Sequence, residues 1–303
     1  MVPDEAMAGA SRKRVLVTGA GGQVGRALAQ TVPTEIDAVF LHRQALDVAD
    51  AGSVAKALAA HRPQVIINAA AYTAVDRAES EADQAYAINA QGPAHLARAA
   101  RELGAELLHI STDFVFSGSQ GQPYRPEDPT APINAYGASK VAGEEAIAAI
   151  LGEQALILRT SWVYAPWGQN FLQTMLRLME TRPLLRVVCD QVGSPTSAHS
   201  LAGALWRALA HPDFRGIQHW TDAGVASWYD FAVAIQEEAL ALGLLSRRIP
   251  IEAIPSSAYP TPARRPANSQ LDKSRSYAAL GAAAHWRVAL RETLAAQATA
   301  STA

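Results

Sequence analysis

Along the first half of the chain, short runs of apolar and β-branched residues alternate with longer stretches where alanine and leucine recur at helical spacing. The runs RVLVTG, AVFLH, PQVIINAA, ELLHIS and ALILRTSWVY are almost continuously apolar, the pattern of strands buried on both faces of a parallel sheet. Between them QVGRALAQ, SVAKALAAH, ADQAYAINAQGPAHLARAARELG and YGASKVAGEEAIAAIL carry the period of helices that cover such a sheet. This alternation, with short connections, predicts an α/β fold built on a doubly wound parallel sheet of Rossmann type. From Gly168 the alternation weakens. FLQTMLRLMETRP, SLAGALWRALAH and WYDFAVAIQEEALALGLL read as helices, and GIQHWTD reads as a strand returning to the main sheet. The predicted organisation is a dinucleotide-binding domain over 12–168, with the returning strand near 216–222. A smaller mixed α/β substrate-binding lobe follows over 169–215 and 223–295, and 1–11 and 296–303 are expected to be mobile tails.

Composition adds exclusions. The 303 residues are 49% hydrophobic and 18% charged with a formal net charge of −2, so nothing draws the protein toward nucleic acid or an anionic membrane. No apolar run approaches the ~20 residues of a membrane span, and MVPDEAMAGASRKR lacks the order of a secretion signal. The single cysteine, Cys189, excludes an internal disulfide framework, fits a cytoplasmic protein, and is expected to be a buried apolar thiol. None of the eight histidines has metal-ligand spacing.

Within VLVTGAGGQVGRAL, Gly19, Gly22 and Gly25 stand between a predicted strand and a predicted helix. A tight turn, close approach of a phosphate to the backbone, and close packing of helix on strand each leave no room for a Cβ. The helix start then offers free N–H groups and partial positive charge to an anion, so the stretch reads as a dinucleotide pyrophosphate site. The second strand ends FLHRQALDVAD without the acid that would take ribose hydroxyls. Arg43 there can clamp a 2′-phosphate or stand as a solvated surface arginine; NADPH is favoured, with NADH as the alternative.

NAYGASK supplies Tyr136 and Lys140, four apart and so on one helix face. A nearby ammonium lowers a phenol pKa, and Tyr136 is therefore read as proton donor to a carbonyl receiving hydride. HISTDFVFSG places Ser111, Thr112 and Asp113 at the carboxyl edge of a strand, where a hydroxyl can bond the same carbonyl oxygen. The segment SGSQGQPYRPEDPTAPI, directly before Tyr136, has the glycines and prolines of a lid.

These residues resemble the extended short-chain dehydrogenase/reductase superfamily and, within it, the dTDP-4-dehydrorhamnose reductase family. The resemblance runs from about Arg14 to Leu290 and rests on TGAGGQVG, LDVAD, NAAAYTAVDRAES, STDFVFSG, NAYGASKVAGE, RTSWVY, DQVGSPT and ARRPANSQLD. It implies a catalytic triad of Thr112, Tyr136 and Lys140, with hydride delivered to C4 of a 4-keto sugar and Lys140 on the nicotinamide ribose. It implies Gly22, Gln23 and Val24 at the pyrophosphate, Asp47 and Val48 beside adenine, and Ala71, Tyr72 and Thr73 at the ribose side. Asn89 matches an asparagine of the superfamily and either supports the site or is a polar residue inside a helix. Asp113 and Trp162 match sugar-nucleotide contacts, Trp162 having a core aromatic as its alternative. Arg264 and Arg265 are candidates for the diphosphate, one of them expected to face acids of its own chain; Asn170 and Thr196 are further pocket candidates. Where some family members hold Mg²⁺ at a dimer contact this chain reads Arg26-Ala27, so no metal and a monomer or weak homodimer are expected. The implied function is NAD(P)H-dependent reduction of dTDP-4-dehydro-6-deoxy-L-mannose to dTDP-L-rhamnose. The alternatives are 4-ketoreduction of another dTDP-deoxysugar, or a non-catalytic NADP-binding subunit resembling methionine adenosyltransferase β.

Overall fold

The computed structural model describes residues 12–302, with side chains to Thr299; the expected leader tail, 1–11, lies outside the described residues. The strands are β1 (Lys13–Thr18), β2 (Ile36–Leu41), β3 (Val65–Asn68), β4 (Glu106–Thr112), β5 (Leu156–Thr160), β6 (Val163–Tyr164), β7 (Leu185–Val188), β8 (Val192–Gly193), β9 (Thr196–Ser197), β10 (Gly216–His219), β11 (Ala226–Ser227) and β12 (Ile251–Ile254). The helices are α1 (Gln23–Gln30), α2 (Ala51–His61), α3 (Val75–Ala78), α4 (Ala82–Tyr86), α5 (Gly92–Leu103), α6 (Ala135–Leu151), α7 (Phe171–Thr181), α8 (Ala198–Ala208), α9 (Trp228–Ala241), α10 (Ser274–Leu280) and α11 (Trp286–Thr302).

Six parallel strands form the central sheet in the order β10-β5-β4-β3-β1-β2. The returning strand is β10, which pairs with β5. The order reverses between β1 and β3, and the crevice at such a reversal is where open α/β sheets bind ligands. One face of the sheet buries Leu16, Ile66, Leu107 and Ile157 with Leu58 of α2, Leu96 of α5 and Ile147 of α6. The other buries Val15, Val17, Ile67, Leu108 and Leu158 with Leu28 of α1 and Leu201, Leu205 and Trp206 of α8.

That second face moves a boundary. The sequence pattern assigned 169–215 to the substrate lobe, yet α8 packs on α1 and Leu280 of α10 joins the same cluster, so both belong to the sheet's layers. The second lobe is smaller: α7, α9 and α11 with the β7–β12 pair enclose Leu172, Met175, Phe231, Ile235, Trp286 and Leu290. The expected C-terminal tail, 296–303, also differs. Residues 296–302 continue α11, and Gln173 of α7 donates to Gln297 at 2.8 Å. Among the described residues no helix is long and apolar enough to cross a membrane.

Two local breaks shape the site. The long helix expected across 82–104 contains one wide π turn at Ala87–Gln91, with Pro93 starting the regular helix beyond it. ALILRTSWVY is two strands, separated at Trp162, whose φ of 49° lies in the left-handed region.

Candidate active site

The chain leaves β1 through Gly19, at φ 67°, where a Cβ would meet the Ala69 and Ala70 backbone at 2.6 Å. At Gly25 a Cβ would sit 2.3 Å from the Gly19 carbonyl oxygen, so only glycine lets α1 lie this close to the turn. Gly22 is the N-cap of α1 and no side chain bonds there, so the N–H groups of the first turn stay open to an anion. Gly21, Gly22, Gln23 and Val24 line a cleft of about 960 Å³ that runs past the ends of β3, β4 and β5 to α7 and β7. A recess of about 330 Å³ adjoins it beyond β1, lined by Gly19, His42, Arg43, Asp47, Val48 and Ala71. Arg43 bonds Asp47 at 3.2 Å and is otherwise exposed to this recess.

Thr112, Tyr136 and Lys140 all line the cleft. Asn134 caps α6 by accepting from Gly137 N at 2.7 Å, which starts the helix one residue before Tyr136. Gly137 and Gly143 let α6 press on the Phe114 and Asn89 carbonyl oxygens, where Cβ atoms would stand at 2.2 and 2.1 Å. The strand's two-residue period and the helix's four-residue period then match. His109 and Ser111 on β4 meet Lys140 and Glu144 on α6, at 3.1 and 2.5 Å. Glu144 is also gripped by Arg159 of β5 through Nε and Nη2, at 3.0 and 2.6 Å, with all three side chains buried.

The electrostatics reverse one expectation. Burial pushes the Tyr136 phenol up to about 12, not down, while the nearby Thr112 hydroxyl opposes the rise. The Lys140 amine is held by the Ile110 carbonyl at 2.7 Å and by His109. Burial brings its ammonium down to about 8, against an opposing pull from Glu144. Asp113 is buried and pushed up to about 6 by desolvation; Thr112 donates to its Oδ1 at 3.0 Å, while Oδ2 has no partner among the described residues.

Other expected residues divide. Ala71 and Thr73 line the cleft, but the Tyr72 side chain is buried beneath and donates to Glu81 at 2.6 Å. Asn89 lies at the π turn and is spent on positioning: it pairs with both backbone groups of Tyr72 at 2.8 and 2.9 Å and donates to Ser139 at 3.0 Å. Trp162 lines the cleft with one face stacked on Trp228 at 3.5 Å. Of the two adjacent arginines Arg265 reaches the cleft, as Arg186 of β7 also does, and pairs with Asp76 at 2.8 Å; Arg264 is exposed outside it, its carbonyl accepting from Asn134. Asn170 lines the cleft, caps α7 and donates to Gln23 at 2.9 Å, whereas Thr196 is buried away from it. Cys189 is exposed, one residue past the end of β7.

The segment before Tyr136 is bonded to the chain around Asn268: Tyr124 bridges to Leu271, Asn268 N donates to the Gly118 carbonyl at 3.1 Å, and Asn268 Nδ2 donates to the Gln120 carbonyl at 2.7 Å. Sequence reasoning missed His109, although its alternation with Ser111 in the apolar strand ELLHIST marks two polar positions on one face.

The model of the RmlD substrate binding domain family matches residues 13–299. The chain is 44% identical to dTDP-4-dehydrorhamnose reductase of Escherichia coli over 269 residues, covering 86% of this chain and 90% of that protein. It is 42% identical over 283 residues to a spore coat polysaccharide biosynthesis protein, SpsK, of Bacillus subtilis, covering 93% and 96%. The crystal structure of dTDP-4-dehydrorhamnose reductase from Bacillus anthracis, in complex with NADP, superposes with a TM-score of 0.87 at 35% identity, covering 93% of this chain and 98% of that one.

Proposed function

The chain belongs to the dTDP-4-dehydrorhamnose reductase family, and on that premise we propose that it reduces the C4 keto group of dTDP-4-dehydro-6-deoxy-L-mannose to give dTDP-L-rhamnose, using NADPH. The observation that carries this reading is that Thr112, Tyr136 and Lys140 open onto the same cleft as the glycine turn at the start of α1.

The residues present suit the cofactor. The turn admits no side chain at Gly19 or Gly25, and the uncapped start of α1 faces the cleft with Gly22, Gln23 and Val24. These would hold the diphosphate, with Arg43 in the adjoining recess free to meet a 2′-phosphate and Asp47 and Val48 beside the adenine. NADPH, when bound, supplies the hydride. Tyr136 keeps its proton throughout the neutral range because burial holds the phenol near 12, and it gives that proton to the oxygen formed at C4. Thr112, beside it on the cleft, orients the same oxygen. Lys140 meets the nicotinamide ribose. Asp113 and Trp162 take the sugar, and of the adjacent pair Arg265, not Arg264, is the guanidinium available to the diphosphate of the nucleotide.

The test is direct. Purified protein mixed with NADPH and enzymatically prepared dTDP-4-dehydro-L-rhamnose should lose the dihydronicotinamide absorbance and yield dTDP-L-rhamnose. A protein that binds NADPH but leaves both compounds unchanged overturns the reading.

A further inference from the structure

The polarity of the hydrogen bonds leading to Lys140 is fixed from the backbone outward. The Ala70 N–H can only donate, and it lies 3.2 Å from Asn68 Oδ1. The Thr18 hydroxyl donates to that oxygen at 2.6 Å. Oδ1 is therefore the accepting end of the amide, and Asn68 Nδ2 donates to His109 Nδ1 at 2.9 Å. A ring nitrogen that accepts carries no proton. His109 is completely buried, and burial holds it well below the usual imidazole value, so it is neutral with its proton on Nε2. That N–H faces Lys140 Nζ at 3.1 Å. An ammonium has three donors and no acceptor, and only the free amine has a lone pair to receive it. The amine's own donor goes to the Ile110 carbonyl at 2.7 Å.

We propose that His109 is a positioning residue that biases Lys140 toward the free amine in the cofactor-free protein, its Nε2–H competing for the lone pair a proton would otherwise take. Burial acts in the same direction on the ammonium. The titratable groups around the pair are Tyr136 and Glu144 on α6, Asp113 just past the end of β4, and Arg159 on β5. Of these Glu144 pulls toward the ammonium, with its carboxylate already engaged by Arg159 and Ser111. The consequence for catalysis rests on the reductase reading. An ammonium beside the phenol requires proton uptake at Lys140 together with reversal of the His109 tautomer, which sets two donors, Asn68 Nδ2 and His109 Nδ1, against each other.

Nuclear magnetic resonance of cofactor-free protein carrying labelled lysine and histidine reads both features, with the Lys140 signal assigned by its loss in Lys140→Met. The expected result is a proton on His109 Nε2 and a Lys140 midpoint of about 8 or lower. In His109→Gln, whose side-chain carbonyl accepts from an ammonium, the midpoint should rise by at least tenfold in ionisation constant. Asn68→Asp is the companion variant. Its carboxylate keeps the acceptor toward Ala70 and Thr18 but takes a proton-bearing Nδ1, which reverses the tautomer and raises the Lys140 midpoint with His109 intact. A wild-type proton on Nδ1, or a Lys140 midpoint near the ordinary 10.5, overturns the proposal. So does a midpoint unmoved in both variants. No substrate is involved, so failure to oxidise NADPH would sink the reductase reading and leave this one standing.

Discussion

Replacing Tyr136 by phenylalanine removes one oxygen and leaves the ring where it is. The ring is buried and packs edge-on against Phe114 with centroids 5.6 Å apart, contacts that phenylalanine keeps. The folding cost is small, because those ring contacts carry the packing. The chemical cost is larger. A positioned general acid contributes roughly 10²–10⁴ in rate, or about 2.7–5.4 kcal/mol of barrier at 1.36 kcal/mol per decade. Tyr136→Phe should therefore lose about 10²–10⁴ in kcat, with NADPH affinity by fluorescence titration within about twofold of wild type. Stopped-flow measurement of a single turnover isolates the chemical step from product release. A loss below tenfold in that step, or a parallel loss of NADPH affinity, would refute the role given to the phenol.

Three further outcomes follow from the geometry. Asp113 is pushed from 3.8 to about 6, so the folded state holds a proton that the unfolded chain releases between those values. Stability contributed by this carboxyl falls as pH rises through that window; Asp113→Asn should raise stability by about 3 kcal/mol above pH 6 and by little below pH 4, and thermal melts differing by the same amount at both ends refute it. Gly25→Ala places a Cβ 2.3 Å from the Gly19 carbonyl oxygen, and overpacking of about 1–3 kcal/mol should appear in denaturant midpoints together with loss of NADPH binding; unchanged binding contradicts the packing argument. Glu144→Gln leaves the Arg159 guanidinium buried without a charge partner, for about 3–5 kcal/mol by urea unfolding, and a cost under 1 kcal/mol would show that the pair is dispensable.

The sheet and the glycine turn were legible because each is a local pattern. An apolar run says strand, and three glycines between strand and helix say close approach, whatever lies elsewhere in the chain. The helix α8 was legible as a helix but not as a neighbour of α1: its apolar face, Leu201 and Leu205, has to meet some core, and period alone does not say which. The end of α11 carries no strong apolar stripe, and what docks it is a pair of glutamines 124 residues apart. Lys140 was found from its spacing to Tyr136, whereas the sign of the Tyr136 shift was missed because burial is set by Tyr72, Ala78 of α3, Ala85 of α4 and Phe114 together. His109 lies 31 residues before Lys140, and only the packing of α6 on β4 makes them partners. Arg264 and Arg265 are indistinguishable in sequence; in the fold Asn134 reaches across to the Arg264 carbonyl and Arg265 is the one that enters the cleft.

The tethers between 117–124 and 266–272 join two segments far apart in the chain on the Tyr136 side of the cleft. Arg265 clasped to Asp76 adds a second rivet on the same side. A ligand entering the crevice therefore lies between a wall braced across distant parts of the sequence and a facing one, where Gln23, Trp167 and Asn170 join the glycine turn to α7 through a few hydrogen bonds.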